Sequence, residues 1–278
     1  MSGDGRNRRS QIASETLAIL QAGRYRAEGV EVDIHADLEA AVQGTEALSP
    51  GAMARLLDRA RSAACSPQPR PRVEVTGEDT LAAARRLDRE HRRVACLNFA
   101  SARRPGGGFL GGARAQEEAL CRASGLYATL IGRPEYYEAN RACRELTYTD
   151  WAIYSPDVPV IRNEREELVG EPFTASFVTM PAPNRGGGGR VDDREVESTL
   201  RRRIAMVLAL CVDRGHDAVV LGAWGCGAFR NDARAVAPLF REAIDDPALT
   251  AGIDRITFAV LEAARDAGNR AAFEAAFA

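Results

Sequence analysis

Residues 98–120 read NFASARRPGGGFLGGARAQEEAL, and three features of that stretch decide the fold. Residues 93–98 (RVACLN) form an apolar run of strand length, which predicts a buried strand ending at Asn98. Gly106, Gly107 and Gly108 then leave the backbone bare of Cβ atoms, so a ligand can approach the peptide N–H groups closely. Residues 115–130 predict a helix whose free N–H groups and positive dipole end face the same space. Strand, glycine-rich turn and helix in that order are a unit of layered α/β architecture, and the geometry suits a phosphate or a sugar oxygen.

The same alternation extends in both directions. Upstream, residues 10–21 predict a helix with Ile12, Leu17, Ile19 and Leu20 apolar and Gly23 as its stop. Residues 25–34 predict a hairpin about Glu28-Gly29, and residues 52–64 a helix with Met53, Leu56, Leu57 and Ala60 on one face. Residues 66–71 (SPQPRP) break the chain. Strands are then predicted at 73–75, 93–98, 151–154, 158–161, 174–180, 218–221 and 255–261, and helices at 79–89, 115–130, 195–213, 233–244 and 269–277. Strands separated by helices of this length predict an α/β fold with a mixed central sheet between helices. Residues 1–70 read as a mostly helical N-terminal extension packed on a core of residues 71–278, in one compact domain overall. The glycine run 186–189, between Arg185 and Arg190, reads as a surface loop or as a phosphate-contacting flap.

Composition narrows the chemistry. The chain has 278 residues, 37 basic residues that are all arginine, 39 acidic residues and a net charge of −2. Without lysine there is no Schiff base, no lysine-dependent P-loop and no Ser-Lys dyad. Three scattered histidines, His35, His91 and His216, leave acid–base work to carboxylates. His216, after Gly215, reads as a residue of a helix C-terminal turn. The charge balance argues against general DNA binding. No apolar run approaches the ~18 residues of a membrane span. The six cysteines form no CxxC, so no zinc site, no other metal and no cofactor is expected. They read as reduced buried thiols, with a cytoplasmic location.

Gln116, Glu117 and Glu118 stand at the predicted helix start. Adjacent residues point about 100° apart around a helix, so the two carboxylates should take different roles. First-turn acids can also serve capping alone. A helix N-terminus favours the charged form, whereas a general acid must hold its proton. Both demands are met only where one carboxyl is desolvated or faces the other.

Gly106-Gly107-Gly108, seven residues, then Gln116-Glu117-Glu118 resembles the GGG…QEE signature of the poly(ADP-ribose) glycohydrolases, compact bacterial type. Asn98-Phe99-Ala100 matches the strand end that leads into it. Gly225-Cys226-Gly227-Ala228-Phe229-Arg230-Asn231 resembles the diphosphate loop of macrodomains. The resemblance runs from about residue 70 to 278. It implies a macrodomain-like core and hydrolysis of the ribose–ribose O-glycosidic bonds of poly(ADP-ribose). ADP-ribose would be released from chain ends, the N-terminal extension closing the groove, with ADP-ribosylated proteins as substrate carriers.

It also implies that Glu118 is the catalytic acid/base and that Glu117 positions ribose hydroxyls. Gln116 and Asn98 would support the ribose and the loop. Gly106, Gly107 and Gly108, with Gly225, Cys226, Gly227 and Ala228, would meet the diphosphate, and Phe229 the ribose that is cleaved. Phe229 also reads as a core anchor for the helix at 233, and Trp224 as core or as a base-stacking ring. Cys226 between two glycines reads as a small group in a niche, with a nucleophile as the sharper reading. Arg103, Arg104 and Arg114 read as solvated loop charge or as an attractor of polyanion. A non-catalytic ADP-ribose binder and a mono-ADP-ribosyl hydrolase are the alternatives.

Overall fold

The computed structural model describes residues 2–63, 69–91, 93–189, 191–262 and 267–278. In chain order the elements are α1 (Ser2–Ala22), β1 (Arg24–Ala27), β2 (Val30–Asp33), α2 (His35–Gly44), β3 (Glu46–Leu48), α3 (Pro50–Ala63), β4 (Arg72–Thr76), α4 (Thr80–Asp88) and β5 (Val94–Phe99). There follow α5 (Gln116–Ala123), α6 (Leu126–Ile131), α7 (Pro134–Ala142), β6 (Ala152–Arg162), β7 (Leu168–Met180), α8 (Asp193–Asp213), β8 (Ala218–Leu221), α9 (Ala233–Ile244), β9 (Arg255–Ala259) and α10 (Asn269–Phe277).

β1 and β2 form a separate hairpin, while the central sheet has the order β3-β6-β7-β5-β8-β9-β4. β7, β5, β8, β9 and β4 run parallel, and β6 is antiparallel to both β7 and β3. Period-two alternation in the inner strands serves two cores. Ala95 and Leu97 of β5 join a cluster with residues of α3, α8, α9 and α10. Val94 and Cys96 join the opposite cluster with residues of α4, α5, α6 and α7. Helices therefore cover both faces. The loops at the carboxyl ends of β5 and β8 open beside one another, where open α/β sheets place their ligands.

Three predicted elements differ. The helix expected at 115–130 is two helices. Ser124 is extended, bridges to Val160, and donates its hydroxyl to Leu120 O at 2.7 Å. Gly125 N bonds Pro159 O at 2.9 Å, and a Cβ on Gly125 would lie 2.7 Å from Leu38 Cδ1. Packing thus overrides helix periodicity. The strands expected at 151–154 and 158–161 are one strand, β6, with a register shift between Ser155 and Val158 where Asp157 takes a φ of 43°. α2, β3 and α7 lie outside the predicted set. β3 is too short to show alternation, and α7 keeps Tyr136, Tyr137 and Asn140 buried within nine residues. Cys65 and residues 66–68 of the predicted breaker lie outside the described residues. Cys96, Cys121, Cys211 and Cys226 are buried.

The first 70 residues contribute β3 to the sheet edge and α3 to the α8 face. α1 packs on a single 3-10 turn, Phe109–Gly111, that follows the glycine triplet. Arg6 Nε donates to Gly111 O at 2.8 Å, Arg9 Nε to Gly112 O at 2.9 Å and Ser10 Oγ to Leu110 O at 2.9 Å. Thr16 Oγ1 donates to Arg122 O at 2.7 Å. Gly112 has a φ of 68°, and a Cβ there would sit 2.2 Å from Arg6 O. Gly112→Ala should therefore lower unfolding stability by about 1–3 kcal/mol. A urea midpoint shifted down at unchanged slope is the expected outcome, and an unmoved midpoint would show that α1 does not press on this turn.

Candidate active site

β5 carries a polar residue, Asn98, one place before its end, where the strand reaches the site. Asn98 is fully buried; its Nδ2 donates to Thr179 Oγ1 of β7 at 3.1 Å and to Glu117 Oε1 at 3.4 Å. Gln116 joins strand and helix: Phe99 N donates to its Oε1 at 2.8 Å, while its Nε2 donates to Leu97 O at 2.8 Å and Thr80 Oγ1 at 3.1 Å. The start of α5 is thereby fixed to the end of β5.

The two glutamates that follow are both buried, 3% and 8% exposed, and are differently held. Glu117 Oε2 accepts from Ser101 N at 2.7 Å, and Oε1 faces Asn98. Burial holds the Glu117 carboxyl up at about 8, and the neighbouring Glu118 carboxyl adds to the shift. Hydrogen bonds from Ser101, Asn98 and Gly106 oppose it without overcoming it. Glu118 Oε1 accepts from Gly108 N at 2.9 Å, while its buried Oε2 has no partner among the described residues. A Cβ built on Gly107 would lie 2.5 Å from Glu118 Oε1 and 3.1 Å from Glu117 Oε2, and Gly107 has a φ of 57°. Only glycine allows this approach. Both carboxylates therefore stand on one side of the cleft, above one peptide.

The second wall comes from the loop after β8. Gly225 has a φ of 75°, and its Cβ position lies 2.5 Å from Asn231 Nδ2 and 2.7 Å from Ala182 Cβ. Asn231 folds the loop by donating to Pro183 O at 2.9 Å and Gly225 O at 3.1 Å. Gly227 and Ala228 are exposed, and nothing lies within 4 Å of a Cβ on Gly227. Phe229 is half-buried, its ring 6.3 Å from that of Tyr148. Tyr148 has a φ of 59° and accepts from Asn184 Nδ2 at 3.1 Å. Beneath them, fully buried Arg203 of α8 donates to Asp150 at 2.7 Å, Pro181 O at 2.9 Å and Tyr148 O at 3.1 Å. This guanidinium ties the loops of Tyr148 and Pro181 to one helix; burial pushes the Asp150 carboxyl up, but the hydrogen bond from Arg202 Nε at 2.7 Å and the charge of Arg203 outweigh it and hold the group below its ordinary value.

Between the walls lies a cleft of about 830 Å³. Of the sequence-predicted residues, Gly107, Gly108, Gln116, Glu117, Glu118, Gly225, Gly227, Ala228 and Phe229 line it. Asn98, Gly106 and Cys226 do not line it. Gly106, with a φ of 63°, has Tyr127 and Cys121 against its Cβ position, and Cys226 donates to Trp224 O at 3.6 Å. Trp224 lines the cleft but is fully buried. Arg103, Arg104 and Arg114 also line it. The 186–189 run is an exposed loop whose Gly186 N bonds Phe229 O at 3.2 Å. Tyr148, Ser101 and Thr179 carry no signal in the sequence, and Asn231 stands there only as the end of the second loop. Their roles arise from backbone φ and from contacts spanning up to 81 residues, as in Asn98–Thr179, which leave no local pattern. Among the described residues no cluster of histidine, cysteine and carboxylates could hold a metal, and no helix is long and apolar enough to cross a membrane.

Residues 13–163 match the family described as microbial-type PARG, catalytic domain. The chain is similar to the crystal structure of poly(ADP-ribose) glycohydrolase (PARG) from Thermomonospora curvata, at 46% identity and TM-score 0.93, covering 98% of this chain and 100% of that one. The same Thermomonospora curvata enzyme bound to the inhibitor ADP-HPD matches at 45% and 0.90, covering 97% and 99%. The enzyme from Deinococcus radiodurans in complex with ADP-ribose matches at 39% and 0.79, covering 91% and 98%. No curated protein matches the chain.

The burial of Glu117 has a pH signature. Its folded-state value of about 8 stands above the ordinary 4.5, so between those limits the folded chain holds a proton the unfolded chain has lost. Stability contributed by this group is complete below pH 4.5 and is lost as pH rises to about 8. Unfolding free energy measured against pH should fall through this window. Glu117→Gln should make the slope shallower by up to about 1.4 kcal/mol per pH unit. Identical slopes in both proteins would show that Glu117 ionises normally.

Proposed function

The chain belongs to the microbial-type poly(ADP-ribose) glycohydrolase family, and on that premise we propose how its cleft hydrolyses the ribose–ribose O-glycosidic bonds of poly(ADP-ribose) to release ADP-ribose. The observation that carries the assignment is the unequal holding of the two glutamates. Glu117 is fastened to Ser101 and Asn98 through both oxygens, whereas Glu118 keeps Oε2 without a partner among the described residues, beside the glycine triplet.

Glu118, as the carboxylic acid, gives its proton to the glycosidic oxygen as the C–O bond breaks. The leaving group departs as the 2′-hydroxyl of the next unit, and the ribose left in the cleft becomes oxocarbenium-like. Water then bonds to the anomeric carbon and passes its proton to the Glu118 carboxylate, which restores the acid. The substrate's own diphosphate, held against backbone N–H groups of the loop at Gly225–Phe229, stabilises the cation electrostatically, while the N–H groups of Gly107 and Gly108 are taken by Arg104 O and Glu118 Oε1 and serve the glycine turn instead. Two glutamates on one side of Gly107 do not bracket a sugar from opposite faces, so their spacing does not set the stereochemical outcome as it does for paired glycosidase carboxylates.

Glu117, protonated near neutral pH, offers a ribose hydroxyl a hydrogen-bond donor, and Asn98 holds it in place. Gln116 spends its amide on β5 and α4, so its role is to set the helix start rather than to grip substrate. Phe229, braced by Tyr148, packs on the ribose that is cleaved. Cys226 and Gly106 shape the loops from behind. Attack at chain ends and protein-attached polymer as the carrier form are part of the same reading.

Glu118→Gln should lower kcat for ADP-ribose release from polymer by about 10²–10⁴-fold while ADP-ribose binding is retained. Calorimetry for binding and chromatography for product check the two halves. Release at the wild-type rate would remove Glu118 from its role, and a wild-type protein inert on polymer would remove the function.

A further inference from the structure

The catalytic scheme leaves one arm of the cleft without a task. The cleft continues over the outer face of α5, where Ala115 and Ala119 are exposed, and reaches Arg8 of α1, Arg114 and Arg165 in the turn between β6 and β7. These arginines come from three separated segments, and contacts of their neighbours hold them together. Arg9 Nε bonds Gly112 O at 2.9 Å. Arg122 bridges Ala113 O at 2.9 Å and Glu166 Oε1 at 2.6 Å.

Arg8, Arg114 and Arg165 are exposed, and their side chains make no hydrogen bond or ion pair with any described residue. Of the two acids that flank Arg165 in its turn, Glu166 is paired with Arg122, which leaves Glu164. Three open guanidinium groups thus face one carboxylate in a chain whose net charge is −2.

We propose that Arg8, Arg114 and Arg165 form a phosphate subsite for the diphosphate of a polymer unit adjoining the one in the catalytic pocket. The inference rests on the polymer-hydrolase reading. Planar guanidinium groups take phosphate oxygens in pairs. The arm and the catalytic pocket line one cleft, so one polymer chain can occupy both, whereas a single ADP-ribose has no second diphosphate to offer. The subsite therefore distinguishes polymer from its product. Its groups lie in solvent, so its contribution is screened by salt.

The test is the triple variant Arg8→Ala, Arg114→Ala, Arg165→Ala beside the wild type. ADP-ribose release from polymer is followed at about 50 and 200 mM salt, and ADP-ribose binding is measured by calorimetry. The variant should show KM for polymer raised by about tenfold at low salt, a flatter salt dependence, and unchanged kcat and ADP-ribose affinity. Wild-type turnover with an unchanged KM and salt dependence in the variant overturns the subsite alone. A wild type that releases nothing from polymer overturns the function and the subsite together. A matching triple lysine variant should recover part of the lost KM, and no recovery would overturn a role for positive charge at this place.

Discussion

The contact of the Gly107 peptide with two carboxylates is the constraint on which the rest of the cleft depends. Glu117 and Glu118 come within van der Waals range of a backbone that has no side chain to offer. Carboxylates buried this deeply need hydrogen bonds, and here backbone N–H groups of Ser101 and Gly108 supply them. Those donors exist only if the loop after β5 doubles back over the first turn of α5. The loop does so because Gly106 and Gly107 both take positive φ. Remove that freedom and the carboxylates lose partners, burial and relative position at once.

The opposing wall is built on a different principle. The loops of Tyr148 and residues 225–231 bring no carboxylate to the cleft, and amide and guanidinium groups inside the protein set their shape. Asn231 closes the loop of residues 225–231 on itself, and Arg203 reaches from α8 to three separate acceptors below Tyr148. Buried arginine is costly unless its donors are used, and here Asp150 and two carbonyls take them. The aromatic pair Phe229 and Tyr148 is thereby presented at a fixed height above the glycine loop. One wall carries the proton chemistry; the other carries shape.

Legibility in the sequence followed the range of the forces involved. The strand–glycine–helix unit at 98–120, the β8–α9 unit and α10 could be read because each rests on local periodicity and turn chemistry. The glutamates stood out for the same reason, as acids in a first helical turn after a glycine run. The break at Ser124-Gly125 could not be read, since it is made by Leu38 and Pro159 from elsewhere in the chain. Tyr148 carries a positive φ that nothing in its residue type announces. Gln116 shows the boundary well. Its presence beside the glutamates was visible, but its task, both amide ends engaged by β5 and α4, depends on the register of neighbouring elements.

The bonds of α1 to the turn at 110–112 and to Arg122 span 100 to 106 residues of sequence. Synthesis runs from α1 toward these partners, which emerge about a hundred residues later. Until then its apolar face has nowhere to go, and the glycine turn that follows it has no lid. This helix is thus complete well before it can dock. The cleft acquires this edge only when that long loop closes, and such closure is a slow, non-local step in assembly.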